Sequence, residues 1–274
     1  MTQQWFPLMA VTPDYLHCIT EERFRTNVYE PEADTFLLLE ALDKDAHLLR
    51  ALQPRRCVEI GCGSGTVISH LMLLLLGATE GGNLGSGSAE KSTAEFHAVD
   101  VNPVALEATS ITWHNTQKRI IGGDTILPLH LHRGDLFSPF EHEASDITEY
   151  TKEEKEEFTF DVILFNPPYV PTTMEELQSA EAGKDLITAA WCGGPRGRVV
   201  VDRFISKLPS FLSSRGVCYI VAIRENDVEE LMEVIRGTFP NDRCYPVNVT
   251  VTAKRYTGEH LRVIRVSHDQ QSAK

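Results

Sequence analysis

The stretch Glu59-Ile-Gly61-Cys-Gly63-Ser-Gly65 restricts the folds open to this 274-residue chain more than any other. It follows a short apolar run, Cys57-Val-Glu-Ile60, and leads straight into an apolar helical pattern over 65–76. A strand that turns on glycines into a helix is the opening unit of an α/β sheet. The rest of the chain repeats the alternation. Strands are predicted over 96–100, 126–132, 160–165 and 217–223, with helices over 103–116, 198–214 and 226–239. Pro209 is expected to kink or split the 198–214 helix. Two strands, 245–256 and 261–266, close the chain as a hairpin turning near Thr257-Gly258. The expected fold is α/β, a doubly wound, mostly parallel sheet of seven strands with an antiparallel C-terminal edge, in one domain over 1–274. A helical segment, 1–50, precedes it as a lid.

Two stretches read as inserts. Residues 77–93 are rich in Gly and Ser without hydrophobic period, and a flexible loop is expected. Residues 141–158 carry eight acids against two lysines, which makes a solvated acidic excursion. That excursion holds much of the net charge of −13. Such a charge argues against general binding to nucleic acid, which needs a basic face. The apolar run 71–76 is far too short to span a bilayer, which takes about 20 residues. The N-terminus shows no basic region followed by an apolar run, so neither a membrane role nor a signal peptide is expected. The six cysteines form no C-x-x-C pair, and reduced thiols are the plain reading. The expected location is the cytoplasm, with the nucleus as a second compartment.

Open α/β sheets bind ligands beyond the carboxyl ends of their strands, and the chemistry-bearing residues fall there. Gly61, Gly63 and Gly65 let a ligand approach the backbone. Glu59, two residues before the first glycine, would repel a phosphate and suits a cationic ligand or one rich in hydroxyls. S-adenosylmethionine, with a sulfonium, an ammonium and a ribose, has those features. Asp100 ends the second strand, where an acid accepts from ribose hydroxyls. Taken alone it is equally an ordinary helix-capping acid. Asn102 is the expected N-cap of the helix that starts at Pro103. After the third strand, Asp135 could accept from an adenine amino group and Leu136 could line the ring, although Gly-Asp is also common turn chemistry.

The fourth strand ends in Asn166-Pro167-Pro168-Tyr169, the most specific motif in the chain. Two prolines stiffen the turn and remove two N–H donors. The Pro167 carbonyl and the Asn166 side-chain oxygen together offer two acceptors to one planar NH2 group. An amide or aromatic amine nitrogen is a poor nucleophile because its lone pair is delocalised. Holding both its hydrogens orients that lone pair toward an electrophilic methyl group. Tyr169 can pack on the acceptor and near the sulfonium, a ring–cation attraction of about 0.5–2 kcal/mol.

These residues resemble the class I S-adenosylmethionine-dependent methyltransferases that modify planar amino groups. The flanks narrow the match. Val28-Tyr-Glu-Pro31 with Asp34-Thr35-Phe36-Leu37-Leu38, and Ala189-Ala-Trp191-Cys-Gly193-Gly-Pro-Arg196-Gly197 leading to Asp202-Arg203-Phe204, look like eukaryotic HemK-like release-factor glutamine methyltransferases. The resemblance runs from about Val28 to Val266 and implies N5-methylation of the glutamine in the Gly-Gly-Gln motif of a class I peptide chain release factor. It implies that Thr35, Glu59, Gly61, Gly63, Asp100, Asp135, Leu136 and Asn166 hold the cofactor. Asn166, Pro167, Pro168 and Tyr169 would meet the acceptor, with Asn166, Pro167 and Tyr169 catalytic. Bacterial relatives carry a separate helical N-terminal domain. The short stretch here matches the eukaryotic form instead, in which a small zinc-binding activator pairs with an edge strand, here 126–132. An N6-adenine methyltransferase acting on DNA or RNA is the alternative, since adenine also presents a planar amine. A non-catalytic scaffold is the third reading. His130 and His132 alternate on one strand and are expected on an exposed edge face rather than as metal ligands. Cys62 is expected to be small packing inside the glycine loop.

Overall fold

The computed structural model describes residues 12–78, 94–120, 127–145, 158–239 and 247–268. Its centre is a seven-stranded sheet: β1 (Arg56–Ile60), β2 (Glu95–Asp100), β3 (Leu129–Arg133), β4 (Phe160–Phe165), β5 (Leu212–Ile223), β6 (Val247–Tyr256) and β7 (His260–His268). The strand order is β3-β2-β1-β4-β5-β7-β6. The first five strands of that order are parallel, and β7 and β6 are antiparallel. The mostly parallel sheet with an antiparallel C-terminal pair is therefore as expected, and the β6–β7 turn falls at Thr257–Glu259.

Strand order reverses between β1 and β4. The two carboxyl ends at that switch point carry the glycine loop and the Asn-Pro-Pro-Tyr turn, so the topology alone opens a crevice between the two motifs. All six residues of β4 are buried. Along β1 and β4, alternate side chains enter opposite cores, as the two-residue strand period requires. Cys57, Val162 and Leu164 join one core with Leu38, Leu42 and Leu71, whereas Val58, Ile163 and Phe165 join the other with Phe204 and Leu208.

Helices cover both faces. The N-terminal segment forms α1 (Leu16–Thr20), α2 (Glu22–Arg25), α3 (Ala33–Lys44) and α4 (Ala46–Leu52). Then come α5 (Thr66–Leu75), α6 (Pro103–Ile120), α7 (Ser138–Ser145), α8 (Met174–Ser179), α9 (Leu186–Ala189), α10 (Val199–Phe211) and α11 (Val228–Thr238). A π-helical turn, Ala180–Lys184, joins α8 to α9. No helix among the described residues is long and apolar enough to cross a membrane. At the sheet's amino end, buried Asp161 accepts from the Arg55 N–H at 2.7 Å, the Ser213 hydroxyl at 2.6 Å and Arg215 Nη2 at 2.9 Å.

Four expectations need correction. Pro209 does not split its helix: α10 runs through it and stops at Phe211, before Ser214. A proline so near a helix end removes a hydrogen bond only from the closing turn. β5 then starts at once, at Leu212 rather than 217. The acidic stretch opens as part of α7 rather than as a loop, and residues 146–157 lie outside those described, as do residues 79–93 of the Gly/Ser stretch. His132 is not on an open face. His97 pairs with its Nε2 through Nδ1 at 3.0 Å, and its ring packs edge-on against Phe140 at 4.9 Å. Burial, then the Arg56 charge and the two neighbouring histidines, push His97 down to about 3. His130, Leu131 and Arg133 are the exposed residues of β3, Leu131 at 39%. Ile126 lies outside the described residues.

Candidate active site

The glycine loop is held from two sides. Gly65 adopts φ +73°, and a Cβ placed on it would lie 2.6 Å from the Thr109 Cα of α6, so only glycine lets the two elements approach. The Gly63 N–H donates to Asp100 Oδ2 at 3.0 Å, which ties the loop to the end of β2. Glu59 is 3% exposed, and its Oε2 accepts from the Ile68 N–H at 2.9 Å, serving the first turn of α5 where Gly65 provides no side chain. Burial raises Glu59 well above the usual carboxylate range against that hydrogen bond, and the nearby Asp100 charge adds to the rise. Burial also raises Asp100, against bonds from the Asn102 and Gly63 N–H groups.

The second strand's turn carries its expected cap. Asn102 Oδ1 accepts from the Val104 N–H at 2.9 Å, and Asn102 Nδ2 donates to the Asn27 carbonyl at 2.7 Å. The second contact fastens the N-terminal helices over the crevice. Cys62 is buried and accepts from the Thr109 hydroxyl at 3.2 Å, which is packing and not an activated thiol. Burial, together with the nearby carboxylates, keeps its thiol protonated.

The Asn-Pro-Pro-Tyr turn is braced by the later segment that sequence analysis singled out. The Val170 N–H donates to the Trp191 carbonyl at 3.0 Å, and the Gly193 N–H donates back to the Val170 carbonyl at 2.9 Å. Gly197 packs so tightly under the turn that a Cβ there would fall 1.8 Å from the Tyr169 carbonyl oxygen. Asn226, 1% exposed, donates to that carbonyl at 2.8 Å. No described group donates to the Pro167 carbonyl.

These elements enclose one cavity of about 1030 Å³. Thr35, Glu59, Gly61, Gly63, Asp100, Asp135, Leu136, Asn166, Pro167, Pro168 and Tyr169 all line it, so the structure brings every sequence-derived site residue together. The volume is at the upper end for small-ligand sites, room for a cofactor and an inserted side chain. Two carboxyls raised by burial at one end suit a ligand that brings hydroxyl and ammonium donors, and disfavour a phosphate. Among the described residues, no group of three or more His, Cys, Asp or Glu is arranged to hold a metal ion.

Asp135 lines the cavity differently from expectation. Its carboxylate, about half exposed, accepts from Arg203 Nη1 at 2.7 Å, and Arg203 Nη2 also reaches Glu181, another lining residue, at 3.1 Å. Leu136 is buried with φ +53°. Glu259, on the β6–β7 turn, is raised by burial and then by Asp34, Glu225 and Glu32, which makes that rim acidic. Asp34 and Asn226 are the functional residues that sequence reasoning passed over. The signal for Asp34 was an acid in the first turn of a helix whose next positions are apolar. Asn226 gave none beyond a helix start.

No family model matches the chain. It is 33% identical over 211 residues to the methyltransferase HEMK2 of Homo sapiens, covering 77% of this chain and 78% of that protein. It is 31% identical over 247 residues to the eRF1 methyltransferase catalytic subunit mtq2 of Schizosaccharomyces pombe, covering 88% of this chain and 91% of that protein. Its fold is similar to a chain of the solved E. cuniculi Mtq2–Trm112 complex, responsible for methylating the translation termination factor eRF1. The TM-score there is 0.50 at 22% identity, covering 88% of this chain and 98% of that chain.

Proposed function

This chain belongs to the HemK-like methyltransferase family that includes HEMK2 and Mtq2, and we propose that it methylates N5 of the glutamine in the Gly-Gly-Gln motif of a class I peptide chain release factor. The cofactor is S-adenosylmethionine, which supplies an electrophilic methyl group when bound. Glu59, Asp100, Thr35 and Leu136 line the cavity and would hold it. Asn166 Oδ1 and the Pro167 carbonyl take the two hydrogens of the acceptor amide and turn its lone pair toward the methyl group. Tyr169 lies against the amide plane. These residues orient rather than deprotonate, and positioning of this kind supplies most of the rate in reactions that need no strong base.

The observation that carries the reading is the Asn166 side-chain oxygen, buried beside the cavity with no hydrogen-bond partner. A buried acceptor without a donor costs about 1–3 kcal/mol, a cost that an acceptor amide would relieve. The test is label transfer from methyl-labelled cofactor to purified release factor in the presence of the activator. Label is expected on the wild-type factor and absent after its acceptor glutamine is replaced. Equal label on both, or label on an adenine-containing oligonucleotide instead, overturns the reading.

The reading includes a small zinc-binding activator, akin to the Trm112 of the E. cuniculi complex, pairing with β3. Supporting it, β3 is an edge strand with Leu131 turned outward. Such an edge offers unpaired backbone groups to another chain. A cytoplasmic and nuclear location also belongs to the reading, and the free thiols of Cys18, Cys57, Cys62, Cys192 and Cys218 suit a reducing compartment. Cell fractionation checks it.

A further inference from the structure

Asp34 lies in the first turn of α3 and is 2% exposed. Five donors converge on its carboxylate. Oδ1 accepts from the Thr35 N–H at 2.7 Å and the Thr35 hydroxyl at 3.4 Å. Oδ2 accepts from the Tyr29 hydroxyl at 3.2 Å, the Tyr169 hydroxyl at 3.0 Å and Asn166 Nδ2 at 3.0 Å. Burial and then the Asp34 charge raise both tyrosines far above their ordinary values, so both hydroxyls keep their protons to donate.

A carboxylate has no hydrogen to give. Of the two ends of the Asn166 amide, only the NH2 end can face it, and the carbonyl end must face away. This fixes an orientation that is otherwise ambiguous for an asparagine. It also accounts for the one buried side-chain atom of the turn without a partner, Asn166 Oδ1. We infer that Asp34 is a positioning residue for methyl transfer: it locks the Asn166 amide so that Oδ1 is held as an acceptor for an N–H of the incoming planar nitrogen. The inference rests on the reading above that the acceptor is such a nitrogen. With the amide reversed, Asn166 would present NH2 to NH2, two donors facing each other. The same carboxylate aligns the Tyr169 ring, so one anion from the N-terminal helices sets two residues of a turn that lies more than a hundred positions away in the chain.

The experiment is Asp34→Asn in the full chain with its activator. The Thr35 N–H keeps the new carboxamide oxygen, so the new NH2 faces the Asn166 NH2 and drives that amide to flip. Turnover of release factor is expected to fall about 100-fold, the scale for losing one oriented hydrogen bond at a reacting centre. Binding of S-adenosylhomocysteine by calorimetry and KM for the factor are expected to hold, which a merely structural role does not predict. The reciprocal pair Asp34→Asn with Asn166→Asp restores one donor, one acceptor and the single charge. It is expected to recover about tenfold over Asp34→Asn alone, whereas independent effects would only add. Full turnover in Asp34→Asn, or no recovery in the pair, overturns the inference. Should Asp34→Asn not fold, a neutron structure of the wild-type enzyme with a release-factor peptide decides, because it shows the amide hydrogens, and Asn166 Nδ2 rather than Oδ1 facing the acceptor nitrogen overturns it. A wild-type enzyme that labels a different planar amine refutes the function above, and the Asp34 variants are then scored on that amine.

Discussion

The Asn226 side chain donates to the Tyr169 carbonyl at 2.8 Å, across 57 positions of sequence, and fixes the far end of the double-proline turn. It also donates to the Arg196 carbonyl at 2.9 Å and accepts from the Ile223 N–H at 2.8 Å. Asn226→Ala strands two buried backbone groups, the Tyr169 carbonyl and the Ile223 N–H, and the part-buried Arg196 carbonyl. The expected loss is about 3 kcal/mol in denaturant unfolding, since each stranded group costs about 1–3 kcal/mol. Turnover is expected to fall further than the folded fraction explains, because the turn loses its register. Wild-type turnover per folded molecule would refute this.

Glu59 makes a prediction with opposite signs for stability and binding. Its folded value is raised, so its contribution to stability is greatest below the unfolded value and is lost as pH rises through the folded one. Glu59→Gln keeps an acceptor for the Ile68 N–H and abolishes the cost of a buried charge. The variant should melt above the wild type at pH 8, with the gap closing in acid. Its affinity for S-adenosylhomocysteine should drop about tenfold, the value of one hydrogen bond to a charged group. A variant no more stable at pH 8 sinks the claim.

Asp161 behaves the other way. Burial pushes its carboxyl up, but bonds from Arg215, Ser213 and the Arg55 N–H outweigh this and hold it below the usual range. Its stabilisation is therefore present above the unfolded value of about 3.9 and is lost as pH falls through the folded one. Asp161→Asn is expected to destabilise the protein at pH 7 and to flatten its acid-unfolding curve below about pH 4. Unfolding followed by circular dichroism from neutral to acid pH checks both.

Leu131 tests the activator edge. It is 39% exposed, so Leu131→Glu should leave the melting temperature of the isolated chain unchanged within about 0.5 kcal/mol, as surface changes do. Copurification of the coexpressed activator should fall by at least about tenfold if a central apolar contact is lost. Undiminished copurification would move the interface elsewhere.

The parallel sheet and the cavity's floor were legible in the chain because their signals are local. Strand period, glycine turns and prolines act within a few residues. What was not legible depends on pairing across the sheet. His132 looked exposed because its covering partner, His97, comes from β2, and only the register His97↔His130 and Val99↔His132 brings the rings together. Pro209 looked disruptive because its effect depends on how many turns follow it, and here almost none do. Asp34 stood out only as part of a family-like flank, and Asn226 only as the start of a helix. Their roles come from contacts spanning 132 and 57 positions, which no local pattern carries.

Arg203 bridges Asp135 and Glu181, two lining residues of the cavity, through side chains that are all roughly half in solvent. Exposed ion pairs of this kind contribute about 0.2–1 kcal/mol each. Parting either one is therefore a thermal event, accessible for at least about a few per cent of the time. Parting the pair frees the Glu181 side chain, while the backbone beside it stays anchored by buried Leu177 and Ala180. Under the proposed function, the cheap adjustment open to a glutamine that arrives on an entire protein is thus the parting of one exposed ion pair, with the buried core left intact.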